Sequence, residues 1–222
     1  MSEDLAGYID HTLLKPEATK EDIIRLCREA QQHHFYAVCI NPSYLPVAAA
    51  ELAGSAVKIC IVVGFPLGAT TTAAKAFETA EAVQGGADEI DTVIHVGALK
   101  GGYSEYIMND ISAVVRAAQG KTVKVIIESG LLTDDEKVLA CRLAEQAGAR
   151  MVKNSTGFGP GGATVADISL MREAVGPGME IKASAGVRTA ETARKMIEAG
   201  AQRIGTSSGV KIVSRDDPGS NA

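Results

Sequence analysis

The 222-residue chain is poor in the signals that mark several large classes of protein. Basic residues are not in excess: 22 Lys and Arg against 27 Asp and Glu leave a net charge of −5, without the clustered cations that nucleic acid or an anionic membrane requires. No apolar run approaches the roughly 18–20 residues of a membrane span. The opening MSEDLAGYID is acidic and lacks a basic segment leading into an apolar one, so a cytoplasmic protein is expected. The four cysteines, Cys27, Cys39, Cys60 and Cys141, include no C-x-x-C pair and read as buried free thiols. His11 and His95 have no spaced third histidine beside them, and His33 and His34 suit a helix C-terminus, so no metal site is expected. There is no G-x-G-x-x-G after the first strand and no Walker-type loop, which removes the usual nucleotide fingerprints of an open doubly wound sheet. Nor is there a linker-like Pro/Ser-rich stretch, so one domain is expected over 1–213, followed by a polar, flexible tail over 214–222.

What the chain does have is a repeat of pattern. Amphipathic stretches end in glycine and a short Val/Ile-rich run follows, as in AVQGGADEIDTVI, AEQAGARMVK and IEAGAQRIG. The opposite junctions carry a Thr with an acid three residues on, in TKED (19–22), TDDE (133–136) and TVAD (164–167), each a helix N-cap signal. Strands are expected at 8–13, 35–40, 57–63, 88–94, 122–128, 149–153, 180–184 and 203–206. Eight short, mostly continuous apolar runs separated by helical pattern are how parallel strands covered by crossover helices read. In a chain of this length they indicate an α/β fold, a single-domain (β/α)8 TIM barrel.

Functional groups of such barrels lie at the C-terminal strand ends. Those ends carry Asp10 and Thr12, Cys39 and Asn41, Phe65 in GFPLG, Asp91 and His95, Glu128, Lys153, Lys182 and the GTSSG turn. Side chains alternate along a strand, so Lys153 beside Val152, Lys182 beside Ile181 and Asp91 between Ile90 and Thr92 can all point into the barrel. Burying ionisable groups there is costly unless they pair or do chemistry. A structural ion pair is the plain reading, but two lysines facing one acid leave a surplus cation. Two amines about 5–6 Å apart at an effective dielectric near 20 repel by ~3 kcal/mol, or ~2 pKa units. A lysine in that position is expected to titrate near ~8 and to keep enough neutral amine to attack a carbonyl.

The segments VKNSTGFGPGGAT, IKASAGVRT, DEIDTVIHVGALK, GTSSG, IDHTLLKP and GFPLG together resemble the 2-deoxyribose-5-phosphate aldolase family, and the matching stretches run through almost the whole chain. The resemblance implies a (β/α)8 barrel and a class I aldolase of deoxynucleoside catabolism, a lyase that reversibly splits 2-deoxy-D-ribose 5-phosphate into acetaldehyde and D-glyceraldehyde 3-phosphate. Its implied site has Lys153 forming the Schiff base, Lys182 lowering the pKa of Lys153 and relaying protons, and Asp91 as general acid/base. The covalent imine replaces any cofactor. By the same resemblance Gly157, Gly186, Val187, Arg188, Gly205, Ser207 and Ser208 form the phosphate cradle, consistent with glycine-rich turns after the later strands. Asp10, Thr12, Cys39, Phe65 and Thr156 are expected to line the pocket. Partners are then a sugar phosphate and small aldehydes, with no nucleic acid or membrane, and a homodimer on general grounds.

The chain departs from the family pattern in places. Ala185 stands where a glycine is usual, His95 where Asn is usual, Ser129 and Asn154 replace threonines, Thr92 replaces an apolar residue, and the tail has no terminal tyrosine. A Schiff-base lyase of the same family with another, non-phosphorylated aldehyde as substrate is the competing expectation. A barrel that binds a sugar phosphate without turning it over has no need of the lysine pair.

Overall fold

A computed structural model describes residues 5–214. Its eight parallel strands close into a barrel in sequence order: β1 (Ile9–Leu13), β2 (Ala37–Ile40), β3 (Lys58–Val63), β4 (Glu89–Val93), β5 (Thr122–Ile126), β6 (Met151–Lys153), β7 (Glu180–Ser184) and β8 (Arg203–Thr206). Around them run α1 (Lys20–Gln32), α2 (Leu45–Glu51), α3 (Thr72–Gln84), α4 (Val96–Lys100), α5 (Ser104–Ala117), α6 (Asp134–Gln146), α7 (Val165–Ala174), α8 (Ala190–Glu198) and α9 (Gly209–Ser214). Of the expected tail, Ser214 ends α9 and residues 215–222 lie outside the described residues.

Local chemistry sets the joints. Thr19 and Thr133 close reciprocal capping boxes with Asp22 and Glu136, and Thr164 accepts the Asp167 N–H at 3.0 Å. After α3, α6 and α8 the backbone turns left-handed at Gly86, Gly148 and Gly200 (φ 102°, 88° and 110°), which glycine does without a Cβ penalty. The residues that follow donate back into the last helical turn, Ala149 to Ala144 and Ala201 to Met196, which is why β6 begins at Met151 rather than at 149. At the other end β5 stops at Ile126, short of the expected 128, because Glu128 adopts φ 55° and turns the chain away.

Alternation splits each strand between two environments. Ile9, Val38, Ile61, Ile90, Val125, Val152, Ile181 and Ile204 join one continuous apolar layer with the helices. The opposite face points into the lumen, where Cys39, Cys60 and Val62 form a small separate cluster with Leu14. Charged side chains from β1 and β4 to β8 fill the rest.

Candidate active site

Asp91 is the hub of the lumen. Its Oδ2 accepts from Lys153 Nζ and Lys182 Nζ, both at 2.9 Å, and its Oδ1 accepts from Lys124 Nζ at 2.8 Å. The two expected lysines therefore converge, no further apart than twice that contact. Strand register makes this possible: Lys153 pairs with Lys182 across β6 and β7, and Asp91 with Lys124 across β4 and β5. All four residues are essentially buried.

The expectation of one acid against two lysines is corrected by the structure. Lys182 also reaches Asp10 Oδ2 at 2.5 Å, Lys124 reaches Glu89 Oε2 at 2.6 Å, and Arg203 bridges Asp10 Oδ1 at 2.9 Å and Glu89 Oε2 at 3.0 Å. Lys124, Lys153, Lys182 and Arg203 thus face Asp10, Glu89 and Asp91, a surplus of one positive charge. Burial opposes the charges of Asp10, Asp91, Lys124, Lys182 and Arg203, yet pairing wins. Against the cost of burial, Lys124, Lys153 and Lys182 hold the Asp91 carboxyl well below the usual carboxylate range, and Lys182, Lys124 and Arg203 do the same for Asp10. Burial alone would lower Lys182, but the Asp10 and Asp91 carboxylates hold it above the ordinary lysine value. Lys182 is therefore a fixed cation in this network.

Glu128 does not touch Lys153 directly. It accepts from Ser155 Oγ at 2.8 Å and from Thr156 Oγ1, and so pins the loop that follows the lysine. A Cβ at Gly159 would come within 2.8 Å of the Glu128 carboxyl carbon, so the glycine there makes room for this anchor. On the next strand Asn154 Oδ1 accepts the Ser184 N–H at 2.7 Å and ties β6 to β7 just past the lysines.

Above the charged layer opens a cavity of about 550 Å³. Lys153 lines it, while the other three cations of the network do not. Of the residues expected at the pocket, Thr12 and Thr156 line it, as do Gly157, Gly186, Val187, Arg188, Gly205 and Ser207 from the expected cradle. Ser208 is outside the lining, its N–H donating to Thr206 Oγ1 at 2.9 Å. Asp10 and Cys39 are also outside it: both are wholly buried, Asp10 because Lys182 and Arg203 hold it in the charged layer and Cys39 because it packs against Cys60 and Val62. Phe65, likewise not in the lining, meets the cavity residue Phe158 edge to face at 5.4 Å between ring centres. Ser184 lines the cavity with a buried hydroxyl that has no protein partner.

Lys124, Glu89 and Arg203 belong to the network but were not anticipated. The signal was available. Glu89 is two residues from Asp91 and so shares its face, and Lys124 sits between Val123 and Val125 in the pattern that marked the other lysines. Arg203, the first residue of β8, pairs in register with Lys182.

Fold and site together define a parallel-strand barrel enzyme with a lysine-centred ion network beneath a cavity at the C-terminal strand ends. Residues 5–215 match the model of the DeoC/LacD family aldolases, and the chain belongs to that family. It is 58% identical over 217 residues to a deoxyribose-phosphate aldolase of Bacillus mycoides, covering 97% of both chains, and 57% identical to one of Streptococcus gordonii, covering 98% of this chain and 99% of the other. Among solved structures, a putative deoxyribose-phosphate aldolase from Coccidioides immitis superposes with a TM-score of 0.94 at 40% identity, covering 96% of this chain and 85% of that one. The deoxyribose phosphate aldolase of Aeropyrum pernix, described as having a unique tetrameric structure, gives 0.91 at 36% identity over 97% and 92% of the two chains.

Proposed function

We propose that this aldolase reversibly cleaves 2-deoxy-D-ribose 5-phosphate to acetaldehyde and D-glyceraldehyde 3-phosphate through an imine on Lys153. The observation that carries the reading is that, of four buried cations around three carboxylates, Lys153 alone meets the cavity. Its neutral amine attacks the sugar aldehyde, water leaves, and the iminium draws electrons from the bond between C2 and C3. Asp91, 2.9 Å from the amine, accepts the proton released from the C3 hydroxyl, with Lys182 or a water as relay, and returns it in the synthetic direction. Lys182, held as a cation by Asp10 and Asp91, supplies fixed positive charge beside the amine.

The phosphate binds at the far end of the cavity, where the turns around Gly186 and Ser207 present backbone N–H groups and Arg188 is exposed. The free Ser184 hydroxyl offers a further donor toward the sugar. The reaction belongs to deoxynucleoside catabolism in the cytoplasm. No helix among the described residues is long and apolar enough to cross a membrane. Exposed Phe77 and Tyr103 supply apolar surface for a homodimer.

Borohydride reduction in the presence of acetaldehyde tests the assignment. A stable two-carbon mass should appear on the peptide bearing Lys153 and be absent from those bearing Lys124 and Lys182. An adduct on another lysine, or none, rejects Lys153 as the Schiff-base residue.

A further inference from the structure

The lumen contains two groups that the aldol scheme leaves idle, the thiols of Cys39 and Cys60. They are direct register partners on β2 and β3, and both are wholly buried. Their sulfurs and an Asp91 carboxylate oxygen all lie within 4.8 Å of one another. Neighbouring strands run about 4.7–4.9 Å apart, and a disulfide closes when the Cα atoms are about 4.4–6.8 Å apart, so the backbone already holds these two residues at bridging distance. Cys60 Sγ is 3.1 Å from Asp91 Oδ1 and 3.2 Å from Lys124 Nζ, while Cys39 Sγ is 3.9 Å from Asp91 Oδ2.

We propose that Cys39 and Cys60 form a peroxide-reactive pair whose oxidation closes a disulfide beside Asp91. The two sulfurs are inequivalent in the way the reaction needs. The neighbouring Cys60, with Lys182 and Lys153, outweighs burial and lowers the Cys39 thiol, whereas burial and Cys39 itself raise Cys60. The other two cysteines lack this setting. Cys27 on α1 and Cys141 on α6 pack in the outer apolar layer, where burial pushes their thiols up to about 11 and about 12. A divalent cation on Cys39, Cys60 and Asp91 would have to compete with three ammonium groups for the carboxylate, so the charge pattern favours thiol oxidation over metal binding.

The chemistry balances with hydrogen peroxide as the only co-reactant. The Cys39 thiolate attacks one peroxide oxygen, the O–O bond breaks, and hydroxide leaves to take up the proton lost by Cys39, giving a sulfenic acid and water. The Cys60 sulfur then attacks that sulfur, the S–O bond breaks, and the hydroxide leaves with the Cys60 proton as a second water. Two thiols are oxidised and one peroxide is reduced. Lys153, which lines the cavity, and Cys39 contact the same Asp91 oxygen, so a small reagent that reaches the lysine is one side chain from the thiol. Closing the bridge removes the Cys60 S–H donor from Asp91. On the aldolase reading above, on which this consequence rests, turnover falls.

The test treats the full chain with hydrogen peroxide, caps the remaining free thiols, and weighs the proteolytic peptides before and after dithiothreitol. A linked pair containing Cys39 and Cys60 is expected, with Cys27 and Cys141 still capped. Cleavage of deoxyribose phosphate should fall in proportion to the linked fraction and return on reduction. In a Cys60→Ser chain, which keeps a polar hydrogen-bonding group beside Cys39, the link should vanish and Cys39 should react with dimedone as a sulfenic acid. Recovery of Cys39 and Cys60 as capped free thiols from the treated native chain, or linkage of either to another cysteine, overturns the proposal, and full linkage with unchanged turnover overturns its effect on Asp91. A chain inactive before oxidation counts against the aldolase reading alone, because the peptide masses still decide the thiol pair.

Discussion

The two faces of each barrel strand are stabilised by different physics. The outer face, typified by Ile90, Val152 and Ile181, gains by removing apolar area from water, an effect that is non-directional and scales with area. The inner face, one residue away at Asp91, Lys153 and Lys182, removes charges from water and recovers that cost only through shared ion pairs. The outer layer should therefore degrade gradually under substitution, and the lumen abruptly. Lys75, wholly buried between α3 and α5, marks the boundary: it is an ion in the outer layer, held by Asp110 at 2.6 Å and the Val93 carbonyl at 2.8 Å.

The strongest break of this contrast is Asp10→Asn. It removes one carboxylate from a lumen already carrying one surplus cation and leaves Lys182 and Arg203 under-paired, so urea unfolding should show a loss of about 3–5 kcal/mol. Acid should act on the same face. Asp10 and Asp91 titrate well below their unfolded value of about 3.9, so the stability they supply is complete above about pH 4 and is lost as pH falls through their depressed native values. Circular dichroism followed to low pH should show this decline, with a shallower slope in Asp10→Asn.

In the outer layer Ile90→Val should cost only about 0.5–1.5 kcal/mol by the same urea measurement, with cleavage activity retained. A loss as large as that of Asp10→Asn would erase the distinction. The smallest effect is expected at Ala185, which holds φ 69° in the cavity wall. A left-handed alanine costs roughly 1–2 kcal/mol, and glycine gives back about 0.4–1 kcal/mol in unfolded-chain entropy, so Ala185→Gly should stabilise by about 0–1.6 kcal/mol. Because the methyl group borders the cavity, KM for the phosphorylated sugar should fall with it, and an unchanged KM would show that the turn lies off the phosphate path.

Most of the barrel could be read in the chain because its strands are short, mostly continuous apolar runs bounded by Thr caps and glycine stops, signals that act within a few residues. Six of the eight strands are one or two residues shorter than expected, and the two-residue shifts fall where a local bond, as at Phe35 and Ala149, or a left-handed turn, as at Glu128, intervenes. Lys153, Lys182 and Asp91 stood out as ions at the ends of apolar runs. Lys124 did not, since a lone lysine inside VKVII passes for a solvent-facing residue until barrel closure shows that the strand has none. Glu89 and Arg203 begin their strands, where polar residues are ordinary, and their pairing across the lumen joins positions 114 residues apart in the chain. His95 illustrates a departure that proved local: its Nδ1 accepts the Ala98 N–H at 3.1 Å and caps α4, a task that Asn performs equally well.

Gly205 carries a consequence for anyone wishing to redesign this pocket. A Cβ there would fall 2.2 Å from the Ser184 hydroxyl and 3.0 Å from Lys182 Cε, so the bare backbone of the last strand is the clearance in which the seventh strand's lysine lies. Libraries that diversify the rim at 185 or 207 can reshape what enters, whereas any side chain at 205 shifts the ammonium itself. The specificity of this scaffold is therefore open to tuning from above and closed to it from the side.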